Sequence, residues 1–282
     1  MPKLTVNNFD LVHTLECGQI FRVRKIVENP PFFGRDDWYY INTRDRFFKA
    51  RQKGNRLEFY GVEEDFLIHF FSLDEPFEQI LAEINKDKHI NAAISKYHGL
   101  RLVRQDPWEC LISYICSSNN TIRNIRNSIR LMCERFGREI GKGLYTFPSP
   151  EALAEIESCD MVQCRMGFRT PNVLEIAGLI AENEFDLYGI KDLSYEEGRK
   201  ELVKIRGVGN KIADCVLLFA FGKLESFPVD THIEQIMDRF YANHFKEAKK
   251  SKKREDIEGF ARGYFGRYCG YAQEYLYLED LG

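Results

Sequence analysis

The first sixty residues alternate or cluster β-branched and aromatic positions between Gly, Asn and Asp turns, in the runs IFRVRKI, DDWYYINT, RFFKARQ and NRLEFYGV. A period of two bounded by turn residues predicts strands joined as an antiparallel meander. The next segment, EEDFLIHFFSLDEPFEQILAEI, switches to helical spacing, and Pro76 within it predicts a break or a fresh helix start.

From about Asp106 onward the chain reads as helix after helix. In TIRNIRNSIRLMCERFG the positions Ile122, Ile125, Ile129 and Met132 share one face, and Arg123, Arg126 and Arg130 another. Ser149 before Pro150, and Thr170 before Pro171, predict two further helix starts with an N-cap and a proline in the first turn. The expected fold class is α+β, with an antiparallel sheet domain over 1–100 and a helical body over 101–282.

Composition changes this picture little. Apolar residues make up 44% of the chain and charged residues 29%, as in an ordinary packed protein. The N-terminus lacks an apolar leader and no stretch approaches a membrane span, so the expectation is a cytoplasmic, monomeric protein without membrane contact, nucleoid-associated if prokaryotic. Eight cysteines include no C-x-x-C pair and sit mostly within apolar patterns, which indicates buried thiols and neither a zinc site nor a disulfide framework.

A net charge of −3 speaks mildly against nucleic acid, but its distribution matters more. Five arginines and one acid lie between Ile122 and Arg138, and six basic residues and one acid between Lys246 and Arg254. The second run, KEAKKSKKRED, is expected in an exposed loop or helix end, solvated first and a DNA contact second.

The densest chemistry lies in LVKIRGVGNKIADCVLLFAFGKLESFPVDTHI. Its pattern predicts a helix over 194–205, a tight turn over 206–210 and an apolar helix over 211–221. Gly207 and Gly209 flank Val208, so the turn can take positive φ and bring its backbone close to a phosphate at the next helix start. A plain helical hairpin explains the glycines alone equally well. Lys211, however, stands in the first turn of the second helix, where a cation opposes the helix dipole. It either grips phosphate or serves as a nucleophile, since the dipole and desolvation both favour the neutral amine. Asp230 is expected to cap the helix beginning near Thr231, and a carboxylate so fixed can also stabilise positive charge on a sugar ring.

The succession I-R-G-V-G-N-K-I-A-D-C, then F-P-V-D-T-H, resembles the helix-hairpin-helix base-excision glycosylases, particularly their 8-oxoguanine DNA glycosylase branch. CGQIFRVR, PWECLISYICSSNNTIRNI and GYAQEYLYLEDL resemble that branch's first strand, its Ser-Asn-Asn element and its closing helix. The resemblance implies a DNA glycosylase and AP lyase that flips 8-oxoguanine out of damaged double-stranded DNA and cleaves it through a Schiff base on Lys211, with Asp230 assisting.

It further implies that Asn119 fills the vacated stack, and that Phe168 and Arg169 attend the orphaned opposite base. Gly18 reads N7 of the lesion through its carbonyl, Gln273 pairs with the Watson-Crick edge, and Cys215 and Tyr277 sandwich the ring. The hairpin residues Gly207, Val208 and Gly209 and His232 contact DNA, His232 either holding a phosphate or orienting Asp230. Each of these residues also has an ordinary structural reading: Asn119 as turn residue, Phe168 and Tyr277 as core aromatics, Cys215 as packed thiol, Gln273 as surface amide.

Two departures from the family stand out. Phenylalanine is usual where Tyr277 falls, and eukaryotic members carry an arginine where this chain has Asn124, which implies a weaker preference for cytosine opposite the lesion. Some relatives hold an iron-sulfur cluster on four cysteines after the aspartate. Only Cys269 follows Asp230 here, so no such cofactor is expected. A structural cation at the hairpin carbonyls stays open. The competing readings are a glycosylase for another damaged purine, such as an alkylated one, and a non-catalytic helix-hairpin-helix DNA-binding module.

Overall fold

The computed structural model describes residues 2–26, 38–141, 143–245 and 253–281. The chain opens with strand β1 (Lys3–Thr5), helix α1 (Leu11–Glu16) and strands β2 (Val23–Ile26), β3 (Trp38–Thr43), β4 (Arg46–Lys53) and β5 (Arg56–Tyr60). Strands β2 to β5 form the expected antiparallel meander. β1 adds to the far side of β5, giving the order β1-β5-β4-β3-β2.

Alternation sets the sheet's burial. Tyr39, Ile41, Phe48, Ala50, Leu57 and Phe59 are buried and pack with Leu67, Phe70 and Phe71 around helix α2 (Glu64–Phe70). The helical run breaks after Phe70, and Pro76 stands at the N-cap of α3 (Phe77–Ile84), the fresh helix start anticipated there.

Helices α3 and α4 (Lys88–Lys96) belong to the second, larger core, which includes the body that follows. That body comprises α5 (Pro107–Ser117), α6 (Ile122–Phe136), a small ribbon of β6 (Glu139–Gly141) and β7 (Leu144–Tyr145), α7 (Pro150–Ala154) and α8 (Thr170–Ala181). It continues with α9 (Tyr195–Leu202), α10 (Asn210–Phe221), α11 (Thr231–Tyr241), α12 (Lys253–Phe265) and α13 (Cys269–Leu281). Both α3 and α4 pack on α13, so the closing helix ties the early chain to the late one.

Arg101 joins the two cores. Its guanidinium lies 3.9 Å above the Phe77 ring and donates to the carbonyls of Asn8 and Ser72 at 3.2 and 2.9 Å.

Several expected boundaries shift for identifiable reasons. Ser149 caps α7 as anticipated, accepting from the Ala152 amide. Thr170 does not cap α8: a 3₁₀ turn over Gly167–Arg169 feeds straight into the helix, so Thr170 already has helical dihedrals and its first-turn role passes to Arg169, which makes no side-chain cap. Ile122 leaves the packing face of α6 and is partly exposed at the mouth of a cavity, whereas Ile125, Ile129 and Met132 are buried as the periodicity requires. Strand β2 runs from Val23, and Gly18 and Gln19 lie in the loop before it. Residues 246–252 of the lysine run lie outside the described residues, and α12 begins at Lys253. All eight cysteines are free thiols and only Cys159 is exposed.

Candidate active site

Helix α9 starts at Ser194 with a reciprocal cap, Ser194 accepting from the Glu197 amide while the Glu197 carboxylate receives the Ser194 amide. After Leu202 the chain turns. Gly207 has φ +83°, and a Cβ there would meet the Asn172 side chain, so both conformation and space demand glycine. Gly209 has ordinary extended dihedrals and open space around it, so nothing in the fold requires its missing side chain. Its bareness leaves the entry to α10 uncovered. No side chain caps that helix, and its first-turn amides are free to meet an anion.

Val208 differs from expectation. Its side chain is buried and its amide donates to the Ile205 carbonyl at 3.0 Å, so it anchors the hairpin and offers no donor to DNA.

From Ile212 to Phe219 every residue of α10 is buried, and the helix packs on α5. That burial holds Lys211 at the cavity edge. Its Nζ donates to Ser117 Oγ at 3.4 Å and stands 5.1 Å over the Tyr114 ring. Tyr114 is itself clamped, stacked on Phe219 with ring centroids 5.6 Å apart and donating to the Gln19 carbonyl at 3.1 Å. An aromatic face beneath an amine attracts it as a cation and fixes its direction.

The cavity, of about 130 Å³, brings together residues that are far apart in the chain. Lys211, Asp230, Gly18, Gln273, Cys215 and Tyr277, six of the residues singled out from the sequence, all line it. Asp230 caps α11, accepting from the Ile233 amide at 2.8 Å, which aims a fixed carboxylate at the same space. Gly18 has φ +98°, so its glycine is required by backbone conformation. Its loop is sewn down by Gln19, whose amide donates to the Thr14 and Arg101 carbonyls and accepts from the Val103 amide. Burial pushes the Cys215 thiol up to about 12 against the opposing pull of Lys211, so it presents a neutral, polarisable surface. Burial likewise raises Tyr277, with Asp230 adding to the rise.

His232 Nε2 lies 3.1 Å from the Asp280 carboxylate, and its ring meets the Tyr277 ring edge-on, centroids 5.0 Å apart. Of its two anticipated tasks, orienting Asp230 is not one it performs here. Asp230 is held by the Ile233 amide, and His232 packs against Tyr277 instead.

A second group of expected residues lies outside the cavity. Asn119 sits exposed in the α5–α6 turn with φ +48°, a left-handed conformation that asparagine tolerates. Phe168 projects with 65% of its surface exposed, far more than a core aromatic. Arg169, expected to hold the orphaned base, is buried: Nε donates to the Ser118 carbonyl at 2.9 Å, Nη2 to that of Asn119 at 3.0 Å, and Nη1 to that of Met166 at 3.2 Å. Its guanidinium also lies 4.3 Å over Phe168. It therefore shapes the turn that carries Asn119 and supports the protruding ring. Asn124 is exposed on the first turn of α6.

Sequence reasoning missed Ser117 and Tyr114, which position the amine, and Glu274, a cavity-lining acid. Glu274 stands in a stretch of α13 that is buried over Tyr271–Leu276, so an acid there calls for an explanation.

A helical hairpin with an uncapped second helix, set beside a pocket lined by an amine and a carboxylate, defines a helix-hairpin-helix protein with a candidate active site at its hairpin. Comparison with known proteins is specific. The family model described as 8-oxoguanine DNA glycosylase, N-terminal domain, matches residues 2–111, and that of the HhH-GPD superfamily base excision DNA repair protein matches residues 112–261. A probable N-glycosylase/DNA lyase of Methanothermobacter thermautotrophicus is 33% identical over 68% of this chain and 67% of its own length. The N-glycosylase/DNA lyase of Saccharomyces cerevisiae is 30% identical over 99% of this chain and 86% of its own. The solved 8-oxoguanine glycosylase/lyase of Clostridium acetobutylicum, bound to duplex DNA with cytosine opposite 8-oxoguanine, superposes with a TM-score of 0.87 at 30% identity, covering 98% of this chain and 93% of that one. The chain belongs to the HhH-GPD superfamily of base excision DNA repair proteins, in its 8-oxoguanine DNA glycosylase branch.

Proposed function

We propose that this protein is a DNA glycosylase and AP lyase that flips 8-oxoguanine out of duplex DNA, excises it and nicks the strand through a Schiff base on Lys211. One observation carries the reading. An amine, a helix-capping carboxylate, a positive-φ glycine and a buried side-chain amide, that of Gln273, line a single cavity.

The hairpin and the first turn of α10 hold the backbone phosphates. A lesion in the stack is out of reach, so the nucleotide rotates into the cavity while Asn119 enters the gap and Phe168 wedges beside the orphaned partner. Attack by the neutral Nζ on C1′ displaces the base, whose leaving nitrogen takes up a proton. Asp230 stabilises the positive charge that develops on the sugar. Ring opening yields the protonated Schiff base. Loss of a proton from C2′ then expels the 3′ phosphate by β-elimination.

Gly18, Gln273, Cys215 and Tyr277 recognise the base. Asn124, shorter than arginine and without its fixed fork, gives a relaxed choice of opposite base. The protein acts as a monomer in the cytoplasm without an iron-sulfur cluster, since Cys269 alone follows Asp230 in the sequence.

Borohydride trapping with duplexes containing 8-oxoguanine tests this reading. Wild type should become covalently linked to DNA and K211Q should not. A wild type that binds the duplex but neither releases the base nor forms an adduct would leave only the non-catalytic DNA-binding reading. In parallel, excision rates with each of the four opposite bases should lie close together, and a strong cytosine preference would remove the role given to Asn124.

A further inference from the structure

The run Tyr271–Leu276 of α13 is buried throughout, yet it contains Gln273 and Glu274, each 5% exposed. A carboxyl so enclosed is costly unless something answers it. Gln273 Oε1 and Glu274 Oε2 are both buried without a hydrogen-bond partner, and both residues line the cavity that holds Lys211. Two orphaned polar atoms on residues that line one cavity call for a polar ligand that fills it.

The titratable groups around Glu274 come from every wall. Cys17 lies after α1, Tyr114 on α5, Lys211 and Cys215 on α10, Asp230 at the start of α11 and Tyr277 on α13 itself. Burial pushes the Glu274 carboxyl up to about 8. A hydrogen bond from the Cys17 thiol opposes the rise, Asp230 adds to it and Lys211 opposes it. Around neutrality the group is therefore mostly an uncharged acid with a proton to donate.

We propose that Glu274 is a base-specificity residue whose carboxyl group donates a hydrogen bond to the six-position carbonyl of the flipped purine. This rests on the functional reading above, in which Gly18 faces N7 and Gln273 the Watson-Crick edge. On an oxidised guanine the carbonyl at C6 lies between those two edges. Glu274 stands next to Gln273 in the chain and lines the same cavity as Cys17 and its neighbour Gly18, which suits it to that carbonyl. A purine with an amino group at C6 would set donor against donor and be refused. Ionised, Glu274 would set a carboxylate against a carbonyl oxygen and weaken binding.

The test compares E274A and E274Q with wild type on one duplex sequence containing either 8-oxoguanine or a tetrahydrofuran abasic analogue. Affinity and single-turnover excision are read for each. E274A should bind the lesion duplex about tenfold more weakly, the loss of one hydrogen bond. E274Q, whose amide still donates, should stay near wild type at neutrality. The excision ratio of E274Q to wild type should rise from about pH 7 to about pH 9, as the natural acid ionises. Binding to the abasic duplex, which has no base, should be unchanged in both variants.

Wild-type lesion binding by E274A together with a flat E274Q ratio would overturn the proposal, as would equal losses on lesion and abasic duplexes, which mark a purely structural role. A wild type that releases no 8-oxoguanine would overturn the substrate reading and this proposal with it. A wild type that releases the base while neither variant departs from it would overturn only the role of Glu274.

Discussion

The hairpin and the base cavity meet at Lys211 but are built on opposite principles. The hairpin comes from one contiguous run of chain, its glycines are exposed or positive in φ, and its functional donors are backbone amides left uncapped at the start of α10. The cavity gathers side chains from the loop after α1 and from α5, α10, α11 and α13, and keeps polar atoms buried and unpaired. Grip on a repeating phosphate needs only local geometry and open amides. Selection of one base needs several distant groups, desolvated and fixed, whose hydrogen bonds are completed by the ligand.

The sharpest way to separate the two regions is D230N. Asparagine caps helices as well as aspartate does, so α11 should persist and duplex affinity should hold, while excision falls roughly a hundredfold through loss of charge stabilisation. Single-turnover rates at saturating DNA read this directly, and an unchanged rate would strip Asp230 of its part in the chemistry.

From the hairpin side, G207A forces a side chain into φ +83° and against Asn172. It should lower stability by about 1–3 kcal/mol in denaturant unfolding and weaken duplex binding about tenfold, roughly 1.4 kcal/mol. The rate at saturating DNA should remain. Loss of rate with affinity intact would mean that the hairpin and cavity are not separable.

A third test concerns pH and fold stability. The folded state raises the Glu274 carboxyl from its usual 4.5 to about 8. The folded protein thus binds this proton more tightly than the unfolded chain, and the associated stability is complete below the lower value and lost as pH rises through the upper one. E274Q removes that loss, so its melting temperature relative to wild type should climb by a few degrees between about pH 5 and about pH 9. A constant difference would place the carboxyl outside the low-dielectric cavity.

The smallest effect belongs to F168A. Removing the exposed ring should reduce affinity for lesion duplex by about 1 kcal/mol while leaving stability unchanged, as measured by titration and thermal melting.

How much of this was visible in the sequence follows the same division. The meander, the break at Pro76, the Ser149 cap and the hairpin with Lys211 and Asp230 were legible, because each is encoded within a few neighbouring residues. Strands β1, β6 and β7 were not, since two or three residues are too few to show a period and only partner strands define them. Thr170 misled because Thr-Pro looks the same whether a helix starts there or continues from a 3₁₀ turn. Arg169 was assigned to DNA on the family resemblance, yet the carbonyls that take its donors belong to a turn some fifty residues earlier. Glu274 stood beside Gln273 in plain view, but its burial depends on helices that pack from distant parts of the chain.

In the proposed mechanism one nitrogen serves both regions, reaching from the hairpin helix into the pocket to bond with the sugar. Mass spectrometry of the peptide carrying the borohydride-reduced DNA remnant tests it most directly. A single modified residue, Lys211, is the expected result. Modification at any other amine, with Lys211 recovered intact, would contradict it.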